Sequence, residues 1–199
     1  MFPLFETICV EDGKILCLDY HQRRYKTAYS QYWSKQPSTP LADGFALPHN
    51  CKTGKYKLKV SYNKHFQHIE IEPYTFKHIE RLKIVSADTI DYSLKYTDRK
   101  AFANLLLQRH NCHDVLIIKN GMVTDSSFCN IVFFDGKKWL TPSTPLLQGT
   151  ARARLLEQGH IKEIEIGVED IKRFRSFRLI NAMRHFDELK PTAIEGIVF

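Results

Sequence analysis

Between Lys55 and Asn63 apolar and polar residues alternate almost strictly: Tyr56, Leu58, Val60 and Tyr62 share one side, Lys55, Lys57, Lys59, Ser61 and Asn63 the other. A period of two is that of a strand with one face in a core. Phe66–Glu72 answers it with Ile69 and Ile71 before Pro73, so the two are expected to pair antiparallel. Upstream, Phe5–Val10 and Lys14–Leu18 flank Glu11-Asp12-Gly13, and Asp-Gly supplies the positive φ angles of a tight hairpin turn. From Asp19 the period becomes helical: Tyr25, Ala28, Tyr29, Tyr32 and Trp33 make one aromatic face, Gln22 completes a capping box with Asp19, and Arg24 lies beside that face. Gln36–Gly54, broken by Pro37, Pro40, Gly44 and Pro48, reads as a loop.

After a crossing segment, Tyr74–Arg81, a strand is expected over Leu82–Ala87. A helix capped by Thr97 or Asp98 should reach about His110, with Ala101, Leu105 and Leu106 inward. Val115–Lys119, Asn120-Gly121 and a strand through Val123 make one hairpin; Asn130–Phe134, Asp135-Gly136 and Lys138–Thr141 make another. A helix over Thr150–Gln158 ends on Gly159, followed by strands at Lys162–Ile166 and Phe177–Ala182 around a short helix, Glu169–Arg173. The pattern predicts an α+β protein of two small domains rather than alternating βαβ units. Residues 1–80 would hold an antiparallel sheet with helices, and residues 82–199 a larger, strand-rich, barrel-like domain.

Composition adds little to this: 43% hydrophobic and 26% charged residues are ordinary for a globular chain. No apolar run approaches the roughly 18 residues of a membrane span, and the N-terminus lacks the features of a signal peptide, so a cytoplasmic protein without membrane association is expected. Five cysteines (Cys9, Cys17, Cys51, Cys112, Cys129), odd in number and without CxxC spacing, suit reduced thiols. The net charge of +7 favours anionic partners without naming one.

Several chemistries fit isolated parts of the chain poorly. His65 and His68, with Cys51 before them, are three apart, which on a strand puts them on opposite faces, so no metal is expected. The basic strand Lys55–His68 carries its aromatics opposite its lysines, where a core claims them, and no nucleic-acid motif accompanies it. Cys112-His113-Asp114 and Asp125-Ser126-Ser127 are adjacent residues, which rarely converge on one reacting atom. Two features point elsewhere. Lys95, in Ser93-Leu94-Lys95-Tyr96-Thr97-Asp98-Arg99, follows a strand-like segment, where a partly desolvated lysine can form an imine with an aldehyde cofactor. Gly149 opens a helix, so the amides of Thr150 and Ala151 can receive an anion.

These features fall into an ordered set: Phe5-Glu6-Thr7-Ile8, His21-x-x-Arg24, Lys95, Asn120-Gly121-x-Val123-Thr124-Asp125, Asn130-Ile131-Val132-Phe133, Leu140-Thr141-Pro142, Gly149-Thr150-Ala151-Arg152 and Asn181-Ala182-Met183. The set resembles the class IV aminotransferases, pyridoxal-phosphate (PLP) enzymes of fold type IV, which include branched-chain and D-amino-acid aminotransferases and 4-amino-4-deoxychorismate lyase. The resemblance covers nearly the whole chain. It implies PLP as cofactor, Lys95 as the Schiff-base lysine and catalytic proton carrier, and Arg24 as a phosphate ligand. It also implies phosphate-binding amides at Gly149, Thr150 and Ala151, a pyridine-nitrogen carboxylate at Asp125, and cofactor contacts from Asn181 and Ala182. A carboxylate at that nitrogen keeps the ring protonated as an electron sink, and a guanidinium with helix-terminal amides suits a phosphate dianion.

The resemblance further implies a homodimer with the cofactor between its domains, acting on a small anionic amine. The Lys-Tyr-Thr-Asp-Arg and Asn-Ala-Met runs look more like the lyase, which releases pyruvate and forms p-aminobenzoate, than like an aminotransferase of amino acids. A non-catalytic basic binding protein on the same scaffold is the reading outside the enzyme class. Three departures bear on it. Asp125 is one carbon shorter than the family's glutamate, so the ring sits nearer its strand or a water bridges the gap. Thr150-Ala151 replaces the more common Ile-Thr, so a threonine hydroxyl contact to phosphate is lost or moved. The chain also starts at Phe-Glu-Thr, without the strands that precede this motif in most relatives, leaving the substrate pocket less covered.

Overall fold

Alternation along the first strands sorts their side chains as the pattern predicts. In the computed structural model, which describes residues Met1–Phe199, β1 (Leu4–Glu11) and β2 (Lys14–Ile15) form the first hairpin, with Asp12 and Gly13 both at positive φ. After α1 (Leu18–Trp33) come β3 (Lys55–Tyr62) and β4 (Gln67–Pro73), giving an antiparallel sheet in the order β2-β1-β3-β4. Leu4, Ile8 and Val10 join Leu58, Val60 and Tyr62 in one core with Tyr25, Ala28 and Tyr29 of α1. On the opposite face Lys55, Lys57 and Lys59 pair with Glu11, Glu72 and Glu70 respectively, so each strand lysine has its own carboxylate.

The chain divides into two compact units, Met1–Phe76 with Leu94–Asp98, and Lys77–Ser93 with Arg99–Phe199. The segment carrying Lys95 therefore belongs with the first unit. Phe5 N donates to Lys95 O at 3.1 Å, Thr97 N donates to Pro3 O at 2.8 Å, and Leu4 bridges Tyr96. Leu94 is buried in the first core and Tyr96 packs against it.

The second unit is built on β5 (Leu82–Ser86), α2 (Lys100–Leu106), β6 (Asp114–Lys119), β7 (Met122–Ser126), β8 (Asn130–Phe134) and β9 (Trp139–Pro142). Then follow α3 (Thr150–Glu157), β10 (Ile161–Ile164), β11 (Ser176–Ile180), β12 (Thr192–Ala193) and β13 (Ile197–Val198). Its sheet runs β10-β9-β8-β7-β6-β5-β13 and branches at β8, which also pairs β11. The core beneath it gathers Leu116, Val123, Ile131, Phe133, Phe174 and Phe177, with Phe133 and Phe174 stacked at 4.8 Å. The architecture is α+β, with hairpins at β6–β7 and β8–β9 as the turn signals predict.

Three local expectations fail. The capping box at Asp19 does not form: Cys17 is the N-cap in a left-handed conformation, and Gln22 instead accepts a bond from Leu41 N at 2.7 Å. The loop thereby takes the side chain that local sequence assigns to the helix end. The helix after Lys95 starts at Lys100 and has no side-chain cap; it buries Phe102 and Leu105 while Ala101 is exposed. The short helix expected over Glu169–Arg173 is present as a 3-10 helix, Val168–Arg173. Alternating βαβ connections are also present, because β5 and β6 are parallel across α2, and β9 and β10 across α3.

Gly196 ties the C-terminus into this unit by space alone, since a Cβ there would overlap the Glu80 carbonyl oxygen. Gly196→Ala is expected to cost about 1–3 kcal/mol through overpacking. Urea unfolding measures it, and a loss below about 0.5 kcal/mol, the scatter of an ordinary surface change, contradicts this packing.

Candidate active site

The first unit buries a carboxylate where alternation calls for an apolar residue. Glu6 shares the inward side of β1 with Leu4 and Ile8 and is fully buried. Two residues of α1 meet it. Arg24 Nε donates to Oε1 at 2.8 Å and its Nη2 to Oε2 at 2.5 Å, while His21 Nδ1 lies 2.7 Å from Oε2. His21 and Arg24 are three apart on one face of the helix, so a single carboxylate can hold both. Burial alone would push the Glu6 carboxyl up. The charge of Arg24 and the bonds from His21 and Arg24 overcome this and bring it from 4.5 to about 2.

His21 is pushed the other way. Burial lowers its pKa, Glu6 opposes, and the charges of Arg24 and Lys95 lower it further. Its imidazole is thus neutral at pH 7, and Nδ1–H donates to Glu6. Lys95 Nζ stands 4.7 Å from the centre of the Phe5 ring, next in sequence to Glu6. Arg24, His21, Glu6 and Lys95 accordingly form one electrostatic group within this unit. In the sequence Glu6 and His21 stand only as members of short motifs, and the one visible sign of their role is a charged residue at an apolar position of β1.

The second unit holds the other sequence-predicted residues. Asp125, in β7, is buried; its Oδ1 accepts from Asn130 Nδ2 at 2.7 Å and its Oδ2 from Leu147 N at 3.0 Å. Burial raises its pKa, and the two amides and the charge of Arg152 counter this only in part, leaving it at about 6. Arg152 itself turns to Pro142 O, Gln148 Oε1 and Glu163. Leu147 lies in the loop that enters α3, whose N-cap is Gly149 and whose first residues, Thr150 and Ala151, are buried. The first amide groups of a helix have no acceptor within it and face outward along the axis. Asn181 binds locally, accepting from Met183 N at 2.9 Å and donating to Cys129 Sγ at 3.1 Å; Ala182 follows it, half-buried.

Residues set aside in the sequence are also placed. His113 Nδ1 accepts from the amides of Glu80 and Arg81, and Asp114 Oδ1 from Val115 N, so Cys112-His113-Asp114 does not converge. His68 stacks on Phe2, while His65 stands beside Phe66.

The donor set fits a ligand with a protonated ring nitrogen and an anionic group. A buried carboxylate met by neutral amides and titrating near neutrality suits a cationic N–H, and a helix start suits a phosphate.

Residues 3–186 match the family described as amino-transferase class IV. An uncharacterized protein of Haemophilus influenzae is 41% identical over 186 residues, 92% of this chain and 98% of that protein. The crystal structure of a Haemophilus somnus protein, provisionally named 4-amino-4-deoxychorismate lyase, is 41% identical with a TM-score of 0.87, covering 92% of this chain and 97% of the other. A hypothetical aminotransferase of Mycobacterium tuberculosis, solved in a PLP-bound form, shares the fold at 16% identity with a TM-score of 0.76, over 98% and 81% of the two chains.

Two of the buried carboxylates, Glu6 and Asp125, predict opposite pH effects. Glu6 binds its proton more weakly in the folded than in the unfolded chain, so it contributes about 3 kcal/mol above pH 5, lost as the pH falls toward 2. Asp125 binds its proton more tightly when folded, so stability falls by about 3 kcal/mol as the pH rises from 4 through 6. Urea unfolding across pH should show Glu6→Gln flattening the acid limb and Asp125→Asn flattening the decline between pH 4 and 6. Unaltered slopes in both variants contradict the assignment.

Proposed function

Because the chain belongs to the class IV aminotransferase family, we propose that it is a PLP-dependent lyase that converts 4-amino-4-deoxychorismate to p-aminobenzoate and pyruvate. The lyase reading rests on 41% identity over 97% of a relative provisionally named for that activity. When bound, PLP supplies an aromatic ring that draws electron density from the carbon bearing the substrate amine.

The chain's own groups do the rest. Lys95 is the residue that would hold the cofactor through its Nζ, and its free amine would take a proton from the amine-bearing carbon and return one to the product. Asp125 would hold the proton on the pyridine nitrogen. A carboxyl at about 6 is mostly ionised at pH 7, and a cationic N–H beside it would lower its pKa further. A guanidinium oriented by Glu6 makes Arg24 a candidate phosphate ligand in the first unit, and the amides of Thr150 and Ala151, opened by Gly149, would offer a phosphate site in the second. Asn181 and Ala182 would border the cofactor. The substrate is a small anionic amine, to which a net charge of +7 is suited, and the same reading implies a cytoplasmic homodimer.

The lyase reaction breaks the ring's carbon–oxygen bond to the departing three-carbon unit, whereas aminotransfer leaves that bond intact and breaks the carbon–nitrogen bond, so products decide between the two. Protein loaded with PLP and given 4-amino-4-deoxychorismate is expected to release pyruvate and p-aminobenzoate in equal amounts, and Lys95→Ala to lower the rate by at least about 10²–10⁴-fold. Amine transfer to a keto acid without these products would favour the aminotransferase. PLP uptake with neither activity would remove the enzyme reading for this substrate class.

A further inference from the structure

Asn130 offers no acid, base or nucleophile, yet three parts of the second unit meet at its side chain. Its Nδ2 donates to Asp125 Oδ1 at 2.7 Å and to Leu147 O at 2.9 Å, which commits both amide hydrogens. Leu147 N returns a bond to Asp125 Oδ2 at 3.0 Å. Asn130 Oδ1 occupies the place a Cβ on Gly149 would take. Gly149 has φ −70°, open to any residue, so it is the space filled by Asn130 that requires glycine at the start of α3. The carboxylate, the entering loop and the helix start are joined through one buried amide.

We propose that Asn130 is a positioning residue that fixes the Asp125 carboxylate and the start of α3 relative to each other, so that both ends of one ligand are gripped together. This rests on the preceding reading, in which Asp125 meets the pyridine nitrogen and α3 the phosphate. The side chain's chemistry is specific. Aspartate would set an acceptor against Asp125 and against Leu147 O, glutamine would drive a methylene toward Gly149, and serine has one hydrogen for two acceptors. Asp125 is the shorter carboxylate, and its side chain alone has little reach with which to correct an error in position.

PLP and pyridoxal, which lacks the phosphate, serve as probes of the full chain, with binding read by absorbance. Asn130→Ala is expected to bind PLP about ten- to a hundredfold more weakly, the loss of a bond to a buried charge, and to lose part of the wild-type preference for PLP over pyridoxal. Asn130→Asp keeps the shape and covers the case in which the alanine variant does not fold. Its PLP affinity relative to wild type should fall as the pH rises from 5.5 to 8, as two facing carboxylates ionise. Unchanged affinity in Asn130→Ala overturns the proposal. So does a lowered melting temperature with the PLP preference intact, or an Asn130→Asp affinity that tracks wild type at every pH. A wild-type chain that takes up neither probe overturns the functional reading itself, whereas wild-type uptake with unaffected variants overturns only the role of Asn130.

Discussion

A carboxylate taken out of water must be met by donors or be held protonated, and two that this protein buries, Glu6 in one unit and Asp125 in the other, meet that demand differently. Glu6 is answered by charge: a guanidinium in two-point contact and a neutral imidazole hold it ionised down to about pH 2. Asp125 is bonded only by neutral amides, which with the charge of Arg152 leave it at about 6. The first arrangement is complete in itself and docks α1 on its sheet. The second is short of positive charge. That difference makes Glu6 an anchor for Arg24, and Asp125 a place where a cationic ring nitrogen would be welcome.

Each carboxylate also organises the backbone near its candidate chemistry. Glu6 lies next to Phe5, whose amide binds the Lys95 carbonyl and whose ring faces Lys95 Nζ, so β1 fixes the lysine's backbone and one side of its amine together. Asp125 accepts from the loop entering α3, and Asn130 holds that loop on its other side. The two carboxylates themselves are set on strands, Glu6 on β1 and Asp125 on β7, where a side chain's direction is fixed by the pleat.

Much of this was legible in the residues. Strict alternation located β3, Asp-Gly and Asn-Gly located two hairpins, and the order of short motifs identified the family that the comparisons support at 41% identity. What escaped depends on distant contacts. Gln22 is a plausible capping residue until Leu41 arrives to take its oxygen, and Ala101 a plausible inward residue until Phe102 fills the core. Leu94–Asp98 follows the strand of one unit in sequence but pairs with β1 of the other, a choice made by the Pro3 and Phe5 backbone groups. Glu6 and Asn130 were read as parts of motifs, because a hydrogen-bonding role appears only when both partners have been brought into reach.

The account turns on Lys95, and the site of cofactor attachment tests it most directly. After incubation with PLP and reduction with borohydride, peptide mass analysis should find the added pyridoxyl group on the peptide bearing Lys95, in a single stoichiometric adduct. No adduct, or label scattered over the surface lysines with Lys95 unmodified, would contradict the assignment on which the function rests.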